Sequence, residues 1–327
     1  MAIKIIATYG PALKESIAME RVLMHADIMR INFSHMGEAD CLDAVSRIRT
    51  ASKNIGRKIR LFADLPGPKM RVSRLSDPIP AEKGAVLSIM YYKDLNGSKN
   101  CIPIDADIYD DIIPGSLISI GDGIPRLAVT EKLGREILCR VVYGGSIAGR
   151  KGVNVQGSPM KAEPPTDEDI LIAGFAARNG FDYIGLSFVK AGIDIDRIRE
   201  HAGSAGVISK IERPEALENI DWIAEKSDMI MVARGDLALN IGVPAVPAAQ
   251  KRIIDSAKAH GKPVIVATQL LGSMTSSPIP TRAEASDIAY AIEQGADYLM
   301  LSDETAIGRY PAESVEMLYE IAAAQKV

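Results

Sequence analysis

The chain has 327 residues, 47% of them apolar and 24% charged, with a formal net charge of −4. That length supports one large core or two ordinary ones, and the slight acidity offers nothing to nucleic acid or to an anionic membrane surface. Cys41, Cys101 and Cys139 are scattered and odd in number, which suits a reducing compartment, and the opening MAIKIIATYGPAL is broken by Gly10-Pro11 too early for a signal or membrane-spanning segment, so a cytoplasmic protein is expected.

Apolar, β-branched runs predict strands at 3–8, 28–33, 59–64, 183–188, 207–211, 229–233, 264–268 and 298–302. Helical periodicity lies between most of them, at 15–25, 38–54, 167–179, 194–202, 214–225, 247–260 and 282–294, with a last helix at 312–325. Strands that read as continuous apolar runs belong to parallel sheets covered by helices. Eight such βα units are the count of a TIM (β/α)8 barrel. An open doubly wound sheet is the alternative, but no G-x-G-x-x-G opens a helix here.

The alternation fails once. Residues 72–152 lack helical periodicity and carry short β-like pieces at 86–92, 117–120, 126–129 and 137–142 between Gly, Pro, Asn and Asp turns. They predict a small all-β domain inserted after the third strand of a barrel formed by 1–71 and 153–327. A βα loop lies on the active-site rim, so such an insert can act as a lid; the plainer reading is a decoration without catalytic part.

The predicted carboxyl ends of the strands carry Thr8; Arg30, Asn32 and Ser34; Asp64; Ser187; Lys210 and Glu212; Arg234 and Asp236; Thr268 and Gln269; and Ser302 and Glu304. One such residue alone is more often a cap or turn residue, whereas a barrel gathers all of them on one rim. In VISKIE (207–212), Lys210 and Glu212 stand two apart and project to the same side. Taken alone they are a strand-end ion pair. Glu212 and Asp236 are hard oxygen ligands with no Cys or His beside them, suiting Mg²⁺ or Mn²⁺ rather than Zn²⁺. Arg30, Lys210 and Arg71 supply the positive charge that stabilises a transferring phosphoryl group. A helical turn begun at Gly235-Asp236 would offer N–H groups to a carboxylate or phosphate. No Ser-His-Asp set is visible. These residues describe a divalent-metal enzyme acting on a small anionic, phosphorylated substrate, without naming the reaction.

The motifs ATYGPA (7–12), MRINFSH (29–35), DLPGPKMR (64–71), GDG (121–123), RKGVNVQG (150–157), LSFV (186–189), SKIE (209–212), MVARGDL (231–237), KPVIVATQLL (262–271), PTRAEASDIA (280–289) and LSDETAIGRYP (301–311) closely resemble the pyruvate kinase family, in the family's order and over nearly the whole chain. The resemblance implies a TIM barrel with an inserted β lid, and transfer of a phosphoryl group from phosphoenolpyruvate to ADP, giving pyruvate and ATP. It implies that Lys210 bridges the phosphoryl group and the enolate oxygen, that Glu212 and Asp236 hold Mg²⁺, and that Arg30 grips the phosphate. Gly235, Asp236 and Thr268 would hold the substrate carboxylate near the protonation path, and Ser302 and Glu304 match a motif linked to proton relay. Pro11, Asn32, His35, Arg71 and Lys151 match positions near the nucleotide, and Asp122 matches a residue of the lid.

The chain also departs from the family's pattern. It stops after the eighth helix, so the resemblance leaves out the C-terminal regulatory domain and implies no effector response through it. A homodimer through 280–289 is then expected in place of the usual tetramer. The monovalent-cation site keeps Asn32, Ser34 and Asp64, but the family's D-T-K-G-P-E reads Asp64-Leu65-Pro66-Gly67-Pro68-Lys69. A fixed ammonium supplies the charge a bound K⁺ otherwise gives, so Lys69 is expected to replace K⁺; the alternative is a surface lysine. Asp303 stands where glycine is common, Gly272 where glutamate is, and Ala238 and Asn240 where glycine and glutamate are. Two other functions compete: a Mg²⁺-dependent lyase or aldolase of the phosphoenolpyruvate/pyruvate barrel superfamily, and a non-catalytic derivative of the kinase.

Overall fold

A computed structural model describes residues 3–34, 36–91, 100–121, 123–156 and 163–325. The chain forms two compact units, Met1–Gly67 with Pro164–Leu237 and Pro244–Val327, and Pro68–Glu163 with Ala238–Val243.

The first unit is a closed barrel of eight strands: β1 (Lys4–Thr8), β2 (Ile28–Asn32), β3 (Arg60–Asp64), β4 (Tyr183–Leu186), β5 (Gly206–Ile211), β6 (Met229–Ala233), β7 (Val264–Ala267) and β8 (Tyr298–Met300). Every neighbouring pair is parallel, and Ile6 closes the ring by pairing with Ile28 on one side and Met300 on the other. This is the TIM barrel the apolar runs predict. Such strands bury both faces, as Met229–Ala233 does at every position.

Side chains alternate along each strand, so one set of positions fills the barrel interior. Ile6, Ile28, Phe62, Ile208, Met229, Met231, Ala233, Ile265, Ala267 and Met300 pack there as one apolar cluster. Two residues further along their strands, the same interior row turns polar: Ile6 gives way to Thr8, Ile28 to Arg30, Phe62 to Asp64 and Ile208 to Lys210. The barrel therefore has an apolar plug beneath a polar rim at its carboxyl end.

The unit's helices are α1 (Ser16–His25), α2 (Glu38–Asn54), α3 (Asp167–Arg178), α4 (Gly192–Arg199), α5 (Pro214–Glu218), α6 (Ile220–Lys226), α7 (Arg234–Ile241), α8 (Val246–Ala259), α9 (Arg282–Glu293), α10 (Asp303–Ala306) and α11 (Pro311–Ala324); the last turn of α7 groups with the second unit. Capping boxes start α3 and α9, where Thr166 and Thr281 accept from the backbone N–H of Asp169 and Glu284. The single helix predicted over 214–225 is two, broken at Asn219, whose amide donates to the carbonyls of Lys190 and Glu215 instead of continuing the turn. Helix α4 starts earlier than predicted because Asp194 lies inside its first turn, accepting from the Ala191 N–H.

The second unit is built on a six-stranded sheet in the order Val153–Gln156, Leu117–Ile120, Arg126–Leu133, Glu136–Tyr143, Val86–Tyr91 and Cys101–Ile104. A two-stranded ribbon pairs Ile79–Ala81 with Gly145–Ile147. Its core gathers Ile89, Ile102, Ile118, Leu127, Cys139 and Val141 among others. The sheet runs past residue 152, where the insert was expected to end, because VNVQ at 153–156 pairs with Leu117–Ile120. Pro80 and Pro103 hid two further strands, and Pro103 lies on an edge strand, where its missing N–H leaves the ladder intact. Among the described residues, no helix is long and apolar enough to cross a membrane.

Candidate active site

At the carboxyl rim of the barrel the polar residues form one connected set. Thr8 Oγ1 donates to Leu301 O at 2.8 Å and accepts from Arg30 Nη1 at 3.0 Å. Arg30 Nε donates to Asp64 Oδ2 at 2.7 Å. The other Asp64 oxygen lies 3.1 Å from Lys210 Nζ, which also lies 3.1 Å from Glu212 Oε1 and donates to Ser187 Oγ at 2.7 Å. Glu212 Oε2 accepts the Phe188 N–H at 2.7 Å. The two-residue spacing of Lys210 and Glu212 thus does bring them side by side.

Burial sets the electrostatics of this group. The side chains of Asp64 and Glu212 are 2% exposed and that of Lys210 is 13% exposed. Burial alone would push the Asp64 carboxyl up, but Lys210 and Arg30 hold it below the usual range, ionised. Burial alone would lower the Lys210 ammonium, but Asp64 and Glu212 overcome this and raise it, so it stays charged. Glu212 moves the other way: burial raises it, Lys210 opposes, and the negative charge of Asp236 adds to the rise. The charge of Asp236 is thus felt at Glu212, and a cation held there would offset it.

That arrangement fits a hard divalent ion. Among the described residues no three His, Cys, Asp or Glu side chains gather as a metal cage. Mg²⁺ is commonly held by one or two carboxylates and completed by water and substrate oxygens, so a two-carboxylate site is of the right kind.

The chain leaves β7 through Thr268 and Gln269, both left-handed with φ of 72° and 53°. Thr268 Oγ1 accepts the Gly235 N–H at 3.0 Å, joining this turn to the first turn of α7. Glu304 sits between the loops that follow β7 and β8: Oε1 accepts the Leu271 N–H at 3.2 Å and Oε2 the Ser302 N–H at 2.7 Å. Both of its oxygens serve the backbone, and burial raises its pKa.

Of the remaining predicted residues, Asn32 also stands at the rim, opposite Asp64 in the β2–β3 register. Pro11 is exposed at the start of a 3₁₀ turn, and Asn32 Oδ1 accepts the Ser34 N–H at 3.1 Å within its own loop. Lys69, Arg71 and Lys151 belong to the second unit, where Arg71 bonds Asp105 and Arg150 and Lys151 is exposed. His35 and Asp122 lie outside the described residues. Sequence reasoning missed the Phe188 N–H, since an aromatic residue gives no sign of its left-handed φ of 56°. It also gave no task to Arg234 and did not single out Asp287.

Against this geometry, a family model described as pyruvate kinase, barrel domain, matches residues 1–315. The chain belongs to the pyruvate kinase family. Curated relatives named pyruvate kinase include one from Agrobacterium vitis, 41% identical over 323 residues, 97% of this chain and 67% of the relative. One from Thermococcus litoralis is 39% identical, covering 98% of this chain and 68% of the relative. One from Mycobacterium tuberculosis is 38% identical, covering 98% and 69%. The chain thus spans about two-thirds of the length of these pyruvate kinases, which are phosphotransferases of a family that works with a divalent metal.

Proposed function

We propose that this chain moves the phosphoryl group of phosphoenolpyruvate to ADP, giving pyruvate and ATP. The observation that supports this best is the cluster in which Lys210 touches Asp64 and Glu212 while Asp64 holds Arg30. Two largely buried cations that share one carboxylate at the barrel mouth suit a phosphoryl group, whose charge spreads over several oxygens during transfer. Arg30 holds the phosphate, and Lys210 faces both the phosphoryl group and the oxygen that becomes an enolate. Glu212 and Asp236 hold Mg²⁺, which when bound adds positive charge to the same anion. The first turn of α7 receives the substrate carboxylate. A carboxylate oxygen there accepts the Gly235 N–H in place of Thr268 Oγ1, leaving that hydroxyl free to donate to the same anion and to stand near the carbon that is protonated.

We also propose that K⁺ is not required. Both oxygens of Asp64 face side-chain cations, and the Asn32 amide oxygen is used by Ser34, which leaves little for a monovalent ion. Lys69, five residues after Asp64, adds a permanent positive charge to this loop.

The test is a coupled assay of pyruvate and ATP from phosphoenolpyruvate and ADP with Mg²⁺, in buffer free of K⁺. Equal yields of both products are expected at a rate that K⁺ does not raise, with a K⁺ requirement appearing in Lys69→Glu. Pyruvate without ATP would favour the lyase or aldolase reading. Binding of phosphoenolpyruvate without turnover would favour a non-catalytic derivative.

A further inference from the structure

Arg234 follows the apolar run of β6 and begins α7, at the same carboxyl end of the barrel as Lys210 and Asp64. Its side chain turns to the loop after β7. Nε and Nη2 donate to Thr268 O at 3.3 and 2.7 Å, and Nη2 also donates to Gln269 O at 3.2 Å. Nη1 donates to Asp287 Oδ2 of α9 at 2.7 Å. The side chain is 11% exposed.

These carbonyls belong to the two left-handed residues. Thr268 is β-branched, a type that rarely adopts positive φ, so its conformation needs outside support. The planar guanidinium provides it by holding two successive carbonyls in one fork. The same backbone segment carries Thr268 Oγ1, 3.0 Å from the Gly235 N–H. We propose that Arg234, anchored by Asp287, is a positioning residue that holds the Thr268–Gln269 turn left-handed and thereby fixes Thr268 Oγ1 against the first turn of α7. Its effect on turnover rests on the reading that Thr268 acts on the substrate; the clamp itself does not.

Two readouts separate these. Amide hydrogen exchange at Gly235 reports whether Thr268 Oγ1 is in place, whatever the enzyme catalyses. Asp287→Ala removes the anchor and leaves Gly235's sequence neighbours unchanged. Loss of one charged hydrogen bond is expected to speed Gly235 exchange about tenfold and to lower kcat by a similar factor. KM for ADP stays unchanged, and Asp287→Glu restores both quantities. In a Thr268→Ala background, Asp287→Ala changes kcat by less than about twofold, because residues acting through one another are not additive. Arg234→Lys, which cannot fork across two carbonyls, serves as the second variant and behaves as Asp287→Ala does. Unchanged Gly235 exchange in both variants overturns the clamp. Fully multiplicative kcat losses in the Thr268→Ala background overturn its action through Thr268. If the wild-type chain forms no ATP, the proposed reaction fails, while Gly235 exchange still decides the clamp.

Discussion

Replacing the buried Asp64 with asparagine removes one negative charge from between two largely buried cations while keeping the shape of the side chain. Arg30 Nε lies 2.7 Å from one oxygen and Lys210 Nζ 3.1 Å from the other. At an effective dielectric of about 20, each attraction is worth about 5 to 6 kcal/mol before desolvation is charged against it. Removing one partner of a buried pair costs about 3–5 kcal/mol in measured cases. Lys210 retains Glu212 and Ser187, and Arg30 retains Thr8, which sets the loss at the lower end, about 3 kcal/mol. At about 2–4 °C per kcal/mol for a unit of this size, the Tm of the barrel falls by about 6–12 °C at pH 7. Differential scanning calorimetry reads this directly. Asp64 has a folded pKa below its ordinary value, so its contribution is complete above the ordinary range and is lost as pH falls through the folded value. The gap between wild type and variant therefore closes in acid. Inorganic phosphate, an anion for the two released cations, narrows it at pH 7. A variant melting within about 1 °C of the wild type at pH 7 would refute the reasoning, because the three charges could not then be holding one another as described.

Lys210→Met is expected to lower kcat for ATP formation at least about 10²-fold with an unchanged circular dichroism spectrum, and a loss smaller than tenfold would count against Lys210 facing the phosphoryl group. Glu284→Gln weakens a tie between α9 and the Gly272–Thr275 turn, where Ser273 and Thr281 donate to the carboxylate. Burial pushes this carboxyl up, but those hydrogen bonds bring it below the ordinary glutamate range. Its contribution is present above that range and lost as pH falls through the folded value, so the variant's deficit, about 1 kcal/mol at pH 7, disappears in acid; a deficit independent of pH in thermal melts would contradict this. Gly185→Ala would place a Cβ 2.4 Å from the Phe62 ring and 3.3 Å from Asp64 Oδ1, and is expected to cost about 1–3 kcal/mol in chemical denaturation, part of which Phe62→Leu relieves in the double variant.

Much of the barrel is legible in the sequence because its strands are buried on both faces and so read as unbroken Val, Ile, Met and Ala runs. The interior row is legible too, once the period of two is applied: Ile208, Lys210 and Glu212 follow one another on one side, and the last two meet at 3.1 Å. Other features leave no local mark. Arg234 and Asp287 meet across 53 positions, and nothing near either names the other. The left-handed backbone at Phe188 and Thr268 carries no Gly, Asn or Asp to announce it, because tertiary hydrogen bonds impose it against local preference. The short strands at Ile79–Ala81 and Cys101–Ile104 contain prolines that a central strand would reject, and only the sheet order makes them acceptable. The motif around Glu304 gives no sign that its two oxygens also brace two loops, by accepting the N–H groups of Leu271 and Ser302.

The hydrocarbon plug under the rim makes the barrel a vessel with a sealed floor. Ile6, Ile28, Phe62, Ile208 and Met231 are fully buried and pack together beneath the rim, so an ion crossing from the amino end would have to shed its hydration among hydrocarbon side chains. Whatever anion settles on Arg30 and Lys210 must arrive and depart through the same mouth. The polar mouth and the hydrocarbon floor thus give the barrel one wet end and one dry end.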